Sequence, residues 1–190
     1  TLTAGEVIVR IKQQVGVAWR TSTVDTIKAG SPATPVTGIA VTMMPTYDVL
    51  RRAAASGKNL IIAHEPAFYG HLDETGSLEK ENDAVLAAKQ ALIREHNLVL
   101  FRFHDHWHAR RPDGIMTGIV RALGWQRYQN AGAPGRFTLP QTTLEKLAAE
   151  LKKKLGGRVV RVIGDARMGV TKVALNPGAA GFTAHRRLLQ

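Results

Sequence analysis

Two short apolar runs, "NLIIAH" (59–64) and "LVLFRF" (98–103), constrain this chain most. Each is too short for a buried helix and apolar at nearly every position, the pattern of a strand covered on both faces. Segments of helical length stand before them. Thr46 caps "YDVLRRAAAS" with Gly57 as its stop, and Asn82 opens "DAVLAAKQALIREH". Upstream, Thr3-x-x-Glu6 is a capping box that starts an amphipathic helix running to about Val15. A polar loop follows to Pro35, and "VTGIAVT" (36–42) alternates as a strand. Downstream, Asp113 opens "GIMTGIVRALG", and "QRYQ" and "RFTL" read as short strands. Thr142-x-x-Glu145 is a second capping box before "KLAAELKKKLG". "RVVRVIG" and "VTKVALN" are the last strands, and a helix begins near Ala180. Strands alternating with helices predict an α/β fold with a largely parallel sheet.

In such sheets ligands gather beyond the carboxyl ends of the strands. His64 closes one buried run and His104 directly follows the other, so two separate stretches deliver imidazoles to one rim. The run "FHDHWHARRPDG" (103–114) adds His106 and His108. If it stays extended, His104, His106 and His108 share one face, with Asp105 and Trp107 on the other. Three imidazoles so spaced suit Zn, Mn, Fe, Co or Ni. In His64-Glu65-Pro66 the proline keeps Glu65 out of helical backbone, so both preceding side chains can be presented. A carboxylate there can bridge two metals. Tyr69, His71, Asp73 and Glu74 lie in the polar loop 65–81, as pocket-lining groups or as hydrogen-bond partners of the imidazoles.

Composition narrows the alternatives. Without cysteine there are no disulfides, iron–sulfur clusters or thiolate zinc sites, and a metal must be held by nitrogen and oxygen. No apolar run reaches the length of a membrane span. No signal peptide is visible, so a cytoplasmic location is expected, while the start at Thr1 rather than a methionine keeps an exported form after leader removal open. G-x-S-x-G, P-loop and dinucleotide-binding patterns are missing. "LNPGAAG" is an isolated glycine-rich turn, and H-x-H-x-D-H is approached but not met. The formal net charge of +11 raises nucleic acid as a partner, but no aromatic platform is interleaved with the cations, so this is the minor reading.

"VTGIAVTMMP" from Val36 and "VTKVALNPG" from Val170 look like two copies of one strand–turn–helix unit. On that offset the counterpart of His64 falls beyond Gln190. Taken together, "VTGIAVTMMPTYDVLRRAAASGKNLIIAHEP" and "LVLFRFHDHWHARRPDGI" resemble the Nif-three-like family, the dinuclear-metal-centre hexameric proteins also called GTP cyclohydrolase type 2. The resemblance implies a duplicated α/β/α unit, here with its second unit incomplete: 1–130 as the first unit and 131–190 as the start of the second. It implies two divalent metals per subunit and a toroidal homohexamer. His64 matches the first histidine of the family's His-His-Pro, and Glu65 replaces the second. His104 matches the histidine of the family's second motif, and His108 stands where the family has a metal-binding aspartate. Met44 stands where many members have an aspartate, and the family's C-terminal His and Glu have no counterpart. The native protein is therefore expected to continue by about another half-unit.

The expectation is a metal-dependent, hydrolase-like protein with a dinuclear site built from His64, Glu65, His104, His106 and His108. Glu65 or Asp105 would act as general base, and Arg110 and Arg111 would attract a nucleotide or other phosphorylated small molecule. The alternative is a non-catalytic metal-binding scaffold in a toroidal homo-oligomer.

Overall fold

The computed structural model describes residues 1–189 and divides into two compact units, Thr1–Arg110 and Arg111–Gln190. Val120 and Leu123 of α6 (Gly114–Leu123) belong to the second unit's core. No helix among the described residues is long and apolar enough to cross a membrane.

The first unit is built on a four-stranded sheet in the order β1 (Ile27–Ala29), β4 (Val99–Arg102), β3 (Leu60–Ala63), β2 (Ile39–Thr42). Strands β2, β3 and β4 run parallel, with Ile39 opposite Leu60 and Leu60 opposite Val99, as the alternating pattern predicts. The edge strand β1 is antiparallel to β4. It lies inside the segment expected to be a polar loop, because only three residues pair. Gly30 then turns away at φ +85°, where a Cβ would come within 2.4 Å of the Leu98 carbonyl oxygen.

The buried strands are covered on both faces. Ile61, Ala63 and Leu100 pack against Leu50 and Ala53 of α2 (Tyr47–Ala55) and against Leu86, Leu92 and Ile93 of α4 (Ala84–Glu95). Leu60, Val99 and Phe101 pack against Ala4 and Ile8 of α1 (Ala4–Gln14). The expected capping box forms: Thr3 Oγ1 accepts from the Glu6 N–H, and the Glu6 carboxylate accepts from the Thr3 N–H at 2.7 Å. Thr46 caps α2 as expected, whereas α4 takes Asp83 rather than Asn82 as its cap. The loop 65–81 contains a short helix, α3 (Gly76–Lys80). A further short helix, α5 (Asp105–Ala109), follows β4.

In the second unit β5 (Arg136–Thr143) pairs antiparallel with β6 (Gly169–Ala174). Val120, Leu123, Trp125, Phe137, Leu139 and Leu147 form its core, the last from α7 (Leu144–Lys154). Asp113 caps α6 as expected, and Gly124 ends it in the left-handed region. Three local expectations are corrected. "QRYQ" forms a 3-10 turn, Gln126–Tyr128, rather than a strand. Thr143, not Thr142, caps α7, its side chain accepting from the Lys146 N–H at 3.4 Å. "RVVRVIG" has no strand partner and is not a strand; its β-branched side chains stand in solvent, with Val159 85% and Ile163 88% exposed. Strand β6 leads through a proline turn into α8 (Gly181–Leu189), the order also seen from β2 to α2.

Candidate metal centre

The parallel pairing of β3 and β4 brings their carboxyl ends side by side, and His64 and His104 follow those ends. The His64 backbone is fixed on both sides. Its N–H donates to the Thr42 carbonyl at 3.1 Å, and its carbonyl accepts from Arg102 Nε at 3.2 Å. The next residue, Glu65, donates its N–H to the Met43 carbonyl at 2.8 Å.

The histidine run is not extended. It turns into α5, with His104 at the N-cap and the His108 N–H donating to the His104 carbonyl at 3.0 Å. The reason is Asp25, whose carboxylate accepts the successive N–H groups of His104 (2.7 Å), Asp105 (2.8 Å) and His106 (2.9 Å). Such a fan of amides is what a helix start presents. Helical spacing puts His104 and His108 on one side and turns His106 to another.

His64, His104 and His108 therefore converge. Their ring centroids lie 4.6 Å (64–104), 4.9 Å (64–108) and 4.8 Å (104–108) apart. One nitrogen of each lies within 4.8 Å of the others. Among the described residues this is the grouping that can hold a metal ion. Nε2 of His64 lies 3.1 Å from Nε2 of His108. A tetrahedral ion with nitrogen bonds of about 2.0–2.1 Å sets its donors roughly 3.3 Å apart, so this pair has the right bite. His104 Nδ1 lies 3.0 Å from Asp105 Oδ1. That contact turns Nε2 into the donor, the carboxylate–histidine arrangement common at metal sites. Burial lowers the His64 pKa, and His104 and His108 push the same way, so its ring stays neutral and its lone pair available. Three imidazoles so grouped suit a first-row divalent ion.

The other expected ligands are placed differently. His106 is fully buried and both ring nitrogens are engaged: Nδ1 meets Asp25 Oδ2 at 2.6 Å, and Nε2 accepts from the Arg20 N–H at 2.9 Å. Its ring stacks on Trp19 with centroids 3.6 Å apart. The expectation that His106 faces the metal with its neighbours is corrected, because it rested on an extended backbone. Glu65 is half-buried beside His64 and does not join the imidazole grouping. Asp105 also accepts from Thr23 Oγ1 (2.8 Å) and the Val24 N–H (3.2 Å), with Arg20 at 3.6 Å. Burial alone would raise its pKa, but these hydrogen bonds, that from His104 foremost, and the Arg20 charge bring it down to about 2. A carboxylate held so far below neutrality is a weak general base.

A second network supports the rim. Arg102 is 1% exposed, and its Nη1 lies 3.3 Å from Asp73 Oδ2 and also donates to the His71 carbonyl. Asp73 in turn accepts the N–H groups of Ala67 (2.6 Å) and Phe68 (2.9 Å). Arg102 Nη2 donates to His71 Nδ1 at 3.3 Å, and the His71 ring stands edge-on to His104 at 5.7 Å. Sequence reading missed Asp25, Trp19 and Thr23, whose segment carries no motif. Arg102 did leave a signal, as a cation inside an otherwise apolar strand.

Solved structures share this fold at low identity. A Bacillus cereus protein related to NIF3 is 13% identical, with a TM-score of 0.68 over 90% of this chain and 74% of that one. Staphylococcus aureus protein SA1388 is 16% identical, with a TM-score of 0.65 over 90% and 71%. TTHA1606 from Thermus thermophilus is 16% identical, with a TM-score of 0.56 over 91% and 69%. No curated protein matches the sequence. The sequence pattern of Duf34/NIF3, NGG1p interacting factor 3, matches residues 18–188, and the chain belongs to that family.

Proposed function

We propose that the chain is a metal-dependent, hydrolase-like protein whose ion is held by His64, His104 and His108. The observation that carries this reading is the convergence of three imidazoles from two strand ends, with one nitrogen of each within 4.8 Å of the others. A divalent ion held there supplies Lewis acidity, which activates water at neutral pH. Asp105 orients the His104 ring, and Arg102 steadies the His64 backbone. Glu65, next in sequence to His64, is the carboxylate for proton transfer or for bridging to a second ion. Arg110, whose guanidinium lies 4.9 Å from the Trp107 ring centroid, follows α5 and favours an anionic substrate such as a nucleotide or another phosphorylated small molecule. The test is metal analysis of untagged protein, followed by turnover on a phosphoester and nucleotide panel with and without added Mn or Zn. Metal uptake with metal-dependent turnover supports the reading, and turnover that ignores metal sinks it.

The second reading is a non-catalytic metal-binding scaffold in a homo-oligomer, to which the family's toroidal hexamers point. It is favoured by the commitment of Asp105 to four partners, His104, Thr23, Val24 and Arg20, which leaves Glu65 as the single candidate base named above. Metal uptake and metal-dependent assembly without turnover would select it.

A further inference from the structure

We infer that Asp25 is the positioning residue of the histidine turn: its carboxylate, outside the imidazole cluster, folds residues 104–106 so that His104 and His108 can serve one ion. The inference rests on the metal reading above and concerns how the site is held.

Asp25 Oδ1 accepts from the His104 and Asp105 N–H groups at 2.7 and 2.8 Å. Oδ2 accepts from the His106 N–H at 2.9 Å and meets His106 Nδ1 at 2.6 Å. The tautomer of His106 is fixed from its far side. Nε2 accepts the Arg20 N–H, so the proton sits on Nδ1 and points at Asp25. Four donors thus end on one carboxylate that is 0% exposed, where water cannot take its place.

The turn needs this support. α5 spans five residues, far below the length at which a helix holds itself in water. If the segment relaxed to a strand, residues 104 and 108 would stand roughly 13 Å apart along the chain. The helical rise over the same four steps is about 6 Å. The two donors therefore share an ion only while the turn persists, and the carboxylate of a residue on another segment is what makes it persist. Trp19, stacked on His106 at an interplanar angle of 4°, closes the far side.

The test uses the whole chain with Co²⁺ as probe, read by visible absorption titration, beside thermal melts of the metal-free protein. Asp25→Asn sets an NH₂ group against donors it cannot accept from. Co²⁺ affinity should fall about ten- to a hundredfold at a temperature where the variant is still folded, as for other partners that orient metal ligands. His106→Asn loses the stacked ring but leaves the three amides on Asp25. It should melt earlier and keep the wild-type affinity and absorption spectrum. If Asp25→Asn does not fold, Asp25→Glu keeps the charge and displaces it by one methylene, and weakened cobalt binding is again expected. Wild-type affinity in the Asp25 variant, or affinity losses that track melting temperature alike in the Asp25 and His106 variants, would overturn the inference alone. A wild-type chain that takes up no cobalt would overturn the metal reading and this inference with it.

Discussion

Arg102 and His64 belong to neighbouring strand ends, and the Arg102 guanidinium donates to the His64 carbonyl at 3.2 Å. The same guanidinium faces Asp73, whose side chain is 2% exposed. Arg102→Met should therefore leave the buried carboxylate with Lys28, 3.7 Å away, as its remaining cation, and cost about 3 kcal/mol, the low end for breaking a buried pair. Chemical denaturation measures this. Adding Asp73→Leu to Arg102→Met should recover part of the loss, although the Ala67 and Phe68 amides then lose their acceptor. A double variant no more stable than Arg102→Met would show that the pair is not the source of the effect.

His64→Ala and His108→Ala should each lower bound metal while leaving the melting temperature close to wild type. Both side chains lie at the rim, beyond the packed strands. His106→Ala should do the reverse to stability, costing about 2 kcal/mol or more, because it opens a cavity beside Trp19 and strips Asp25 of one donor. Metal analysis and thermal melts on the three variants read the contrast. Unchanged metal in both rim variants would mark those histidines as bystanders.

Asp105 gives the metal-free protein an acid limb. Its pKa is about 2 in the fold against an ordinary value of 3.8. The folded state thus holds its proton less tightly than the unfolded chain. The stabilisation is present in full above pH 4 or so and is lost as pH falls through the folded value, about 2. Asp105→Asn should destabilise the protein at neutral pH, and its stability curve should converge with wild type toward about pH 2. Parallel curves down to that pH would show that Asp105 is not the group responsible.

The charge is unevenly placed. Residues 111–190 hold 14 of the 26 Lys and Arg but only 4 of the 15 Asp and Glu. A heparin column should retain the chain and release it with salt, as expected when cations displace counterions from a polyanion. Lys152→Glu with Lys153→Glu, both exposed on α7, should elute earlier, whereas Glu79→Lys in the first unit should not. Elution unchanged by the α7 pair would place the contact elsewhere.

The parts legible in the sequence were those with a local cause. The runs at 59–64 and 98–103 were strands because nearly every position is apolar and both faces are covered. Thr3, Thr46 and Asp113 marked helix starts because their side chains reach their own helix. What failed depended on distant partners. The histidine run alternates like a strand, yet Asp25, about eighty positions away, winds it into a turn. "RVVRVIG" has strand composition and lacks a neighbouring strand. The rim position of His64 and His104 was legible from strand order, and the sorting of His106 from His108 was not, since it needed the carboxylate.

In coordination terms α5 would serve a metal as a bidentate chelate. His104 and His108 ride on one backbone hydrogen bond and move together, while His64 comes from a separate strand. An ion held here would be gripped by two ligands of one turn and by a third, His64, from another segment. The Arg102 guanidinium, which restrains the His64 backbone, would then bear on how readily that third ligand is given up.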